Sequence, residues 1–300
     1  MRAAQSLLIG ATGQIGRQMM QRFGSRALPT TRERMPAAGW LSLDLAEIAT
    51  FEQADLALKG VELDAIYCLA GMTNVEACEG QASMAYRVNT EAPTALAEVA
   101  YRRKLPFVYY STEYVFDGLD GPYGEGDPTN PKNVYGLSKV RGELAIRQAH
   151  PEALILRTTV VYGPDSAEKN YLYSLMRNLK MGKSMKVPED QVSTPTYNLD
   201  LAVVTETLVK RGVSGLFHAC GSERMGRFAF ARQIAEELGL DPSLLQGVPT
   251  SELNQIAPRP LSAGLSIDKL TREHPDLSMR TLHEGIKNCR SLLERYLLSA

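Results

Sequence analysis

Short apolar runs alternate with helix-like segments along the first half of the chain. The runs have the length and composition of strands that are buried on both faces, as parallel strands are. They cover residues 6–9, 27–30, 41–45, 64–71, 107–110 and 153–163. This alternation predicts an α/β fold with a doubly wound parallel sheet.

Helical patterns fill the intervals between these runs. Ile15, Met19 and Phe23 lie on one face of a helix after the first strand. A later helix has Thr90 or Thr94 as its candidate N-cap. A third begins after Asn133 and ends before Pro151.

The alternation weakens after residue 164, where the chain becomes rich in loops. Residues 216–221 form one more strand-like run, whereas 258–261 and 266–270 are predicted to be extended or turn-like. Residues 227–238 and 282–296 carry helical stripes of apolar residues. We therefore predict a nucleotide-binding domain in residues 1–164 and a smaller α/β substrate lobe built mainly from 165–300, with part of the later chain returning to the first domain.

Composition places the chain among ordinary globular proteins. Its 300 residues are 44% hydrophobic and 22% charged, so a disordered or fibrous class is excluded. The net charge is −1 and no long run of one sign occurs, so no feature indicates binding to nucleic acid or to a membrane. The N-terminus lacks the apolar stretch of a secretory signal, and we expect a cytoplasmic protein, with a homodimer possible.

The four cysteines lack the paired spacing of metal ligands. They are Cys68, Cys78, Cys220 and Cys289. We predict reduced, mostly buried thiols and no metal site.

A glycine-rich turn joins the first strand to the first helix. Its sequence is Gly10-Ala-Thr-Gly13-Gln-Ile-Gly16. Glycines there permit a tight turn and bring backbone amides and the positive helix end close to a pyrophosphate. The predicted cofactor contacts are Gly10, Thr12, Gly13, Gln14, Ile15 and Gly16, and the alternative is a plain strand-to-helix turn.

The segment after the second strand decides between the two nicotinamide dinucleotides. Thr31, Arg32 and Arg34 stand about 20 residues beyond the first glycine, where this fold often recognises the ribose. Hydroxyls and arginines suit a 2′-phosphate, so NADP is preferred, while Glu33 keeps NAD possible. Asp44 and Leu45 border a predicted adenine pocket, although Asp44 is equally able to cap the next helix.

Tyr135 and Lys139 lie four residues apart on one predicted helix. Both should project from one face, so that the ammonium lowers the pKa of the phenol and makes Tyr135 a plausible proton donor to a carbonyl oxygen. Ser111 and Thr112 fall where the preceding strand should end, at the edge where open α/β sheets bind ligands. Taken alone, the pair is also compatible with a packing tyrosine beside a solvated lysine.

Two further features have a structural alternative beside the functional one. The polar stretch 190–196 is stiffened by proline and could form a wall for a polyhydroxylated ligand or an ordinary loop. His218, inside a strand-like run, is predicted to be an interior histidine and not a catalyst.

These motifs together resemble the extended short-chain dehydrogenases/reductases over nearly the whole chain. The segments 111–118, 133–139 and 190–196 and Arg259-Pro260 are most similar to the dTDP-4-dehydrorhamnose reductase family, whose relatives include the regulatory β subunit of methionine adenosyltransferase. The resemblance implies NAD(P)H-dependent reduction of a nucleotide-linked 4-keto-deoxysugar, with Tyr135 donating the proton, Lys139 holding the nicotinamide ribose and Thr112 binding the carbonyl oxygen.

The resemblance also implies further contacts. Leu69, Ala70, Gly71 and Asn89 would line the cofactor site together with Tyr135 and Lys139. The implied substrate contacts are Thr73, Asn74, Thr112, Glu113, Val160, Gln191 and Thr194. The partners are then a small nucleotide-sugar substrate, with no nucleic acid and no membrane.

Departures from the family pattern keep two other functions open. Glu113 replaces the usual aspartate, and Val160 stands where the reductases place a tryptophan against the sugar. An NADP-binding regulatory subunit, which would need a partner enzyme, is the first alternative. A nucleotide-sugar epimerase is the second, whereas a dehydratase would need a second acid where Tyr114 stands.

Overall fold

The computed structural model describes residues 4–299, with the side chain of Ser299 left undescribed. Within that range the strands alternate with helices as far as residue 158 and are short and scattered beyond it. The strands are β1 Gln5–Ile9, β2 Ala27–Thr31, β3 Leu41–Ser42, β4 Leu63–Cys68, β5 Phe107–Thr112, β6 Leu154–Thr158, β7 Val161–Tyr162, β8 Met185–Pro188, β9 Val192–Ser193, β10 Thr196–Tyr197, β11 Gly215–His218, β12 Met225–Gly226 and β13 Leu245–Val248.

Helices cover most of the remaining chain. They are α1 Gln14–Phe23, α2 Phe51–Ala57, α3 Val75–Gly80, α4 Ala82–Tyr86, α5 Ala92–Arg102, α6 Val134–Ala149, α7 Tyr171–Lys180, α8 Asn198–Lys210, α9 Arg227–Glu237, α10 Asp268–Glu273 and α11 Leu282–Ser299. A π-helical turn, Arg87–Glu91, joins α4 to α5. A 3₁₀ turn, Glu113–Val115, follows β5.

Seven strands form one parallel sheet in the order β11-β6-β5-β4-β1-β2-β3. This confirms the predicted doubly wound fold. The chain runs outwards from β1 towards β3 and then returns to continue from β4 on the other side. The strand order reverses between β1 and β4, and such sheets bind ligands at the carboxyl ends of the strands that flank this reversal.

Alternate strand residues bury opposite faces of the sheet, which explains why the strands are apolar throughout. Ile66 and Phe107 pack with α2, α5 and α6 on one face. Leu8 and Val108 pack with α1, α8 and α10 on the other. The main sheet is thus held between two helical layers.

A second core lies outside the sheet, among α7, α9 and α11. Phe230 and Ile234, two residues of the predicted stripe in α9, are buried within it. The parallel pair β8 and β13 lies beside it. The predicted division near residue 164 stays a prediction, while β11 does return to the main sheet beside β6.

Four sequence-based element predictions need correction. The third strand ends at Ser42, and Asp44 caps the 3₁₀ turn Leu45–Glu47. The predicted strand 153–163 is interrupted at Thr159 and Val160. Neither Thr90 nor Thr94 is an N-cap, because the helix continues backwards through the π-helical turn. Residues 266–270 run into α10 and are not extended.

The predicted burial of the cysteines is confirmed, since Cys68, Cys78, Cys220 and Cys289 are all buried free thiols. His218 is fully buried, as predicted, and its ring contacts the Ser266 carbonyl oxygen. No helix within residues 4–299 combines the length and apolarity needed to cross a bilayer.

Candidate active site

The glycine turn between β1 and α1 has no room for side chains. Gly10 has φ +96°, and a Cβ there would lie 2.7 Å from the backbone nitrogen of Ala70. A Cβ on Gly16 would lie 2.2 Å from the Gly10 carbonyl oxygen. Both positions therefore require glycine for close backbone approach, as a pyrophosphate-binding turn does.

The N-terminus of α1 is free of side-chain caps. Its N-cap is Gly13, and no acidic residue occupies the first turn. The amides at this end remain available to an anion, which the helix dipole also favours. Thr12 and Gly13 are exposed, whereas Gln14 bonds to the Val161 carbonyl oxygen and accepts from Asn170.

The end of β4 continues this glycine cradle towards the helix that carries Tyr135. Ala70 lies against Gly10, and the next residue is Gly71. A Cβ on Gly71 would lie 3.0 Å from Asn89 Oδ1 and 3.2 Å from Lys139 Nζ. Leu69 and Ala70 both donate their amides to the Ile9 carbonyl oxygen, which fixes the two strand ends together.

Asn89 connects β4 to the helix α6. Its side chain accepts from the Met72 amide at 2.9 Å and donates to the Met72 carbonyl oxygen and to Ser138 Oγ. Its own carbonyl oxygen accepts from the Tyr109 hydroxyl. Asn89 lies within the π-helical turn, a distortion that is frequent at functional sites. Asn89 is fully buried, so its side-chain amide holds these segments together and is not exposed to solvent.

Tyr135 and Lys139 are buried on the first turns of α6, where Asn133 caps the helix by accepting from the Gly136 amide. Burial raises the pKa of Tyr135, and hydrogen bonding to Thr112 opposes that rise. The predicted lowering by Lys139 is therefore wrong for this chain. The phenol is kept neutral at physiological pH, which is the form that donates a proton.

Lys139 is directed at the neighbouring strand. Its ammonium donates to the Tyr110 carbonyl oxygen at 2.9 Å and lies 4.5 Å from the centre of the Tyr109 ring. Burial lowers the pKa of Lys139 to about 8. The lysine thus remains mostly charged at neutral pH and loses its proton at slightly higher pH.

Glu113 follows Thr112 and joins three segments of the site. Its carboxylate accepts from the Thr159 hydroxyl and, at 2.9 Å, from the Gly264 amide. Burial raises the pKa of Glu113 to about 7, although these hydrogen bonds oppose the rise. Both oxygens are engaged within the protein, so the side chain holds the site together.

Val160 has φ +39°, a conformation that is strained for a β-branched residue. Thr196 fixes it from the opposite side, because its amide donates to the Val160 carbonyl oxygen and its hydroxyl donates to the Thr159 carbonyl oxygen. Strain of this kind persists only where surrounding contacts impose it, and it is common at ligand sites.

The remaining predicted residues fall in two groups. At the far end of the sheet, Thr31 accepts from the Glu33 amide and Arg32 is exposed. Asp44 accepts from the Ala46 amide and Leu45 is buried, so the capping alternative for Asp44 describes its contact.

The other group lies near the carboxyl ends of the strands. Thr73 is exposed, and Asn74 caps α3. Gln191 donates to Thr250, while Thr194 is buried and accepts from the Leu265 amide. No three His, Cys, Asp or Glu side chains in residues 4–299 form a group suited to a metal ion.

Sequence reasoning missed Tyr114, Tyr171 and Arg227. The ring of Tyr114 lies edge-on to Tyr135, with centroids 5.6 Å apart. The guanidinium of Arg227 lies 3.9 Å from the Tyr171 ring centre. These residues are distant in sequence and carry no motif, so only the fold brings them together.

A dinucleotide fits the residues present. Gly10, Gly16 and Gly71 pack so closely against other protein atoms that a Cβ would collide with them, which keeps the turn tight, and the N-terminus of α1 has no side-chain cap. Tyr135 and Lys139 lie at the other end of this series of contacts.

Comparisons with known proteins show what this chain is similar to. A family model described as RmlD substrate binding domain matches residues 4–294. A probable low-salt glycan biosynthesis reductase from Haloferax volcanii is 34% identical over 77% of this chain and 78% of its own length. A dTDP-4-dehydrorhamnose reductase from Mycobacterium tuberculosis is 36% identical over 68% of each chain. The crystal structure of the Bacillus anthracis dTDP-4-dehydrorhamnose reductase in complex with NADP superposes with a TM-score of 0.84, at 26% identity over 100% of both chains.

Proposed function

This chain belongs to the dTDP-4-dehydrorhamnose reductase family of extended short-chain dehydrogenases/reductases and is an NAD(P)-dependent reductase of that family, and on this premise we propose that it reduces the 4-keto group of a nucleotide-linked deoxysugar. The observation that carries the proposal is the continuous series of contacts from the glycine turn through Gly71 to Lys139 and Tyr135. It would bring a dinucleotide held at one end to a proton donor at the other.

Three side chains have the chemistry that carbonyl reduction requires. Tyr135, neutral because burial raises its pKa, gives its proton to the carbonyl oxygen as that oxygen gains charge. Thr112, hydrogen-bonded to Tyr135, stabilises the same oxygen. Lys139, charged below pH about 8, favours the phenolate that remains after proton transfer.

We propose NADPH as the preferred cofactor and NADH as a possible one. The nicotinamide supplies the hydride when the cofactor is bound. Thr31 and Arg32 would bind the 2′-phosphate, and Asp44 and Leu45 would border the adenine. The rest of the cofactor site would consist of Gly10, Thr12, Gly13, Gln14, Ile15, Gly16, Leu69, Ala70, Gly71, Asn89, Tyr135 and Lys139.

The proposed substrate is a small nucleotide sugar, such as dTDP-4-dehydrorhamnose, in a cytoplasmic setting. Its sugar would lie between Tyr135 and Val160, the residue that stands where the family places a tryptophan. The proposed substrate contacts are Thr73, Asn74, Thr112, Glu113, Val160, Gln191 and Thr194.

The test measures oxidation of NADPH and NADH with a panel of 4-keto sugar nucleotides. Tyr135→Phe should lower kcat by about 100-fold or more and leave the affinity for NADPH unchanged. Tyr101→Phe is the matched control, because Tyr101 is 52% exposed on α5. A kcat of Tyr135→Phe equal to that of wild type would refute the assignment of Tyr135 as the proton donor.

The same experiment distinguishes the two alternatives. A regulatory subunit would bind NADP, turn over no keto sugar and copurify with a partner enzyme. An epimerase would retain NAD+ through purification and consume no added reduced cofactor.

A further inference from the structure

Three arginines surround Glu113 and Tyr114, and they differ in how the protein uses them. Arg224 donates to the Ala263 carbonyl oxygen and to Ser262 Oγ. Arg259 pairs with Glu76 at 2.7 Å. Arg227, in contrast, has no carboxylate within ion-pairing distance in the described part of the chain.

Arg227 is held firmly even though its charge is unpaired. It is the first residue of α9, and its amide donates to the Gln191 carbonyl oxygen at 2.7 Å. Its guanidinium stacks over the Tyr171 ring, and Tyr171 in turn stacks on Phe230 with centroids 6.1 Å apart. A stacked guanidinium keeps its N–H edge free for a ligand.

The charge of Arg227 reaches the catalytic pocket. Burial raises the pKa of both Glu113 and Tyr114, and Arg227 opposes the rise at each. The Tyr114 ring in turn lies edge-on to the ring of Tyr135, the proposed proton donor. Glu113 is a poor counterion because its two oxygens already bond to Thr159 and Gly264.

We infer that Arg227, stacked on Tyr171, binds the diphosphate of the nucleotide-linked substrate. This inference rests on the proposed function, since it names the residue that holds the anionic part of the same substrate. A diphosphate offers pairs of oxygens that match the donor pairs of a guanidinium. The other diphosphate in the reaction is that of the dinucleotide, for which the uncapped N-terminus of α1 is available.

The experiment titrates wild type and Arg227→Gln, both saturated with NADP, by calorimetry. The ligands are dTDP, UDP and GDP, followed by the monophosphate and the free nucleoside of the base that wild type binds best. Arg227→Gln should weaken diphosphate binding by about 10- to 100-fold and monophosphate binding less. The affinity for the nucleoside and the affinity for NADPH, titrated without NADP, should stay within about twofold of wild type.

Two further variants separate binding from structural support. Arg227→Lys should restore part of the diphosphate affinity that Arg227→Gln loses. A lysine keeps the positive charge, but it lacks the paired N–H donors of the guanidinium and its stacking on the Tyr171 ring. The Arg224 side chain bonds to Ala263 and Ser262 in the neighbouring loop. Arg224→Gln should therefore not weaken the binding of diphosphate more than the binding of nucleoside.

Several results would overturn the inference. They are an unchanged diphosphate affinity in Arg227→Gln, an equal loss for nucleoside and diphosphate, a loss confined to NADPH, or no binding of any nucleoside diphosphate to wild type. Turnover of a keto sugar nucleotide with an Arg227-independent affinity would remove this subsite and leave the reductase proposal standing. Diphosphate binding that depends on Arg227, without reduction of any keto sugar, would support this subsite and contradict the reductase proposal.

Discussion

The Lys139 ammonium donates its hydrogen bond to the Tyr110 backbone carbonyl oxygen, 2.9 Å away. The lysine is thereby anchored to the central strand β5 while only one turn of helix separates it from Tyr135. Because burial lowers the pKa of Lys139 to about 8, its charge is kept at a cost in stability. Such a cost is expected of a residue retained for function.

Lys139→Met should abolish reduction and change how stability depends on pH. The unfolded chain keeps the lysine proton up to its ordinary pKa of 10.5, whereas the folded chain loses it near 8. Wild-type stability should therefore rise relative to the variant between those values, by at most about 1.4 kcal/mol per pH unit. Urea unfolding of both proteins across that range measures the difference, and parallel curves would contradict the assignment.

The pH dependence of the reductase activity should reflect the protonation of Lys139. Reduction by wild type should fall as pH rises through about 8, where Lys139 loses its charge. A pH profile of kcat measured with saturating cofactor tests this, and a flat profile to pH 10 would argue against a charged lysine in the reaction.

Glu113→Gln should remove a pH dependence of the opposite sign. The folded chain binds the Glu113 proton up to pH about 7, but the unfolded chain releases it near 4.5. Wild-type stability should thus fall relative to the variant as pH rises between these values, and remain lower above them. Glu113→Asp should be the more damaging change, since a shorter carboxylate cannot reach both Thr159 and Gly264.

Gly16→Ala should abolish dinucleotide binding, because its Cβ would collide with the Gly10 carbonyl oxygen at 2.2 Å. Gly80→Ala is the matched control, since nothing lies within 4 Å of a Cβ there. Thermal shift with NADPH measures both: the control should be stabilised by the ligand as wild type is, and Gly16→Ala should not. A normal shift in Gly16→Ala would place the cofactor elsewhere.

Arg32→Ala should reduce the preference for NADPH. The exposed guanidinium is proposed to bind the 2′-phosphate, so the Kd of NADPH should rise by about tenfold and that of NADH should stay within about twofold. NADH acts as the internal control in the same titration. Equal losses for both cofactors would assign Arg32 a structural role.

The approximate positions of the first six strands could be predicted because short, largely apolar runs alternate with helical patterns along the chain. The break at Val160 could not be predicted, since valine favours strands and Thr196, whose amide bonds to the Val160 carbonyl oxygen, comes much later in the chain. The contact of Arg227 with Tyr171 likewise has no local signal. Motifs predicted the catalytic helix, but its burial, which reverses the expected pKa shift of Tyr135, is a property of the assembled fold.

The strand β11 completes the main sheet beside β6, yet it is synthesised only after the loops and helices between Thr158 and Gly215. A nascent chain that has emerged only as far as residue 164 would still expose the edge of β6, including Arg157 at the position that pairs with His218. Residues 1–164 alone would therefore leave the main sheet incomplete, and a gene truncated near this predicted boundary would encode an open-edged sheet prone to pairing with its neighbours.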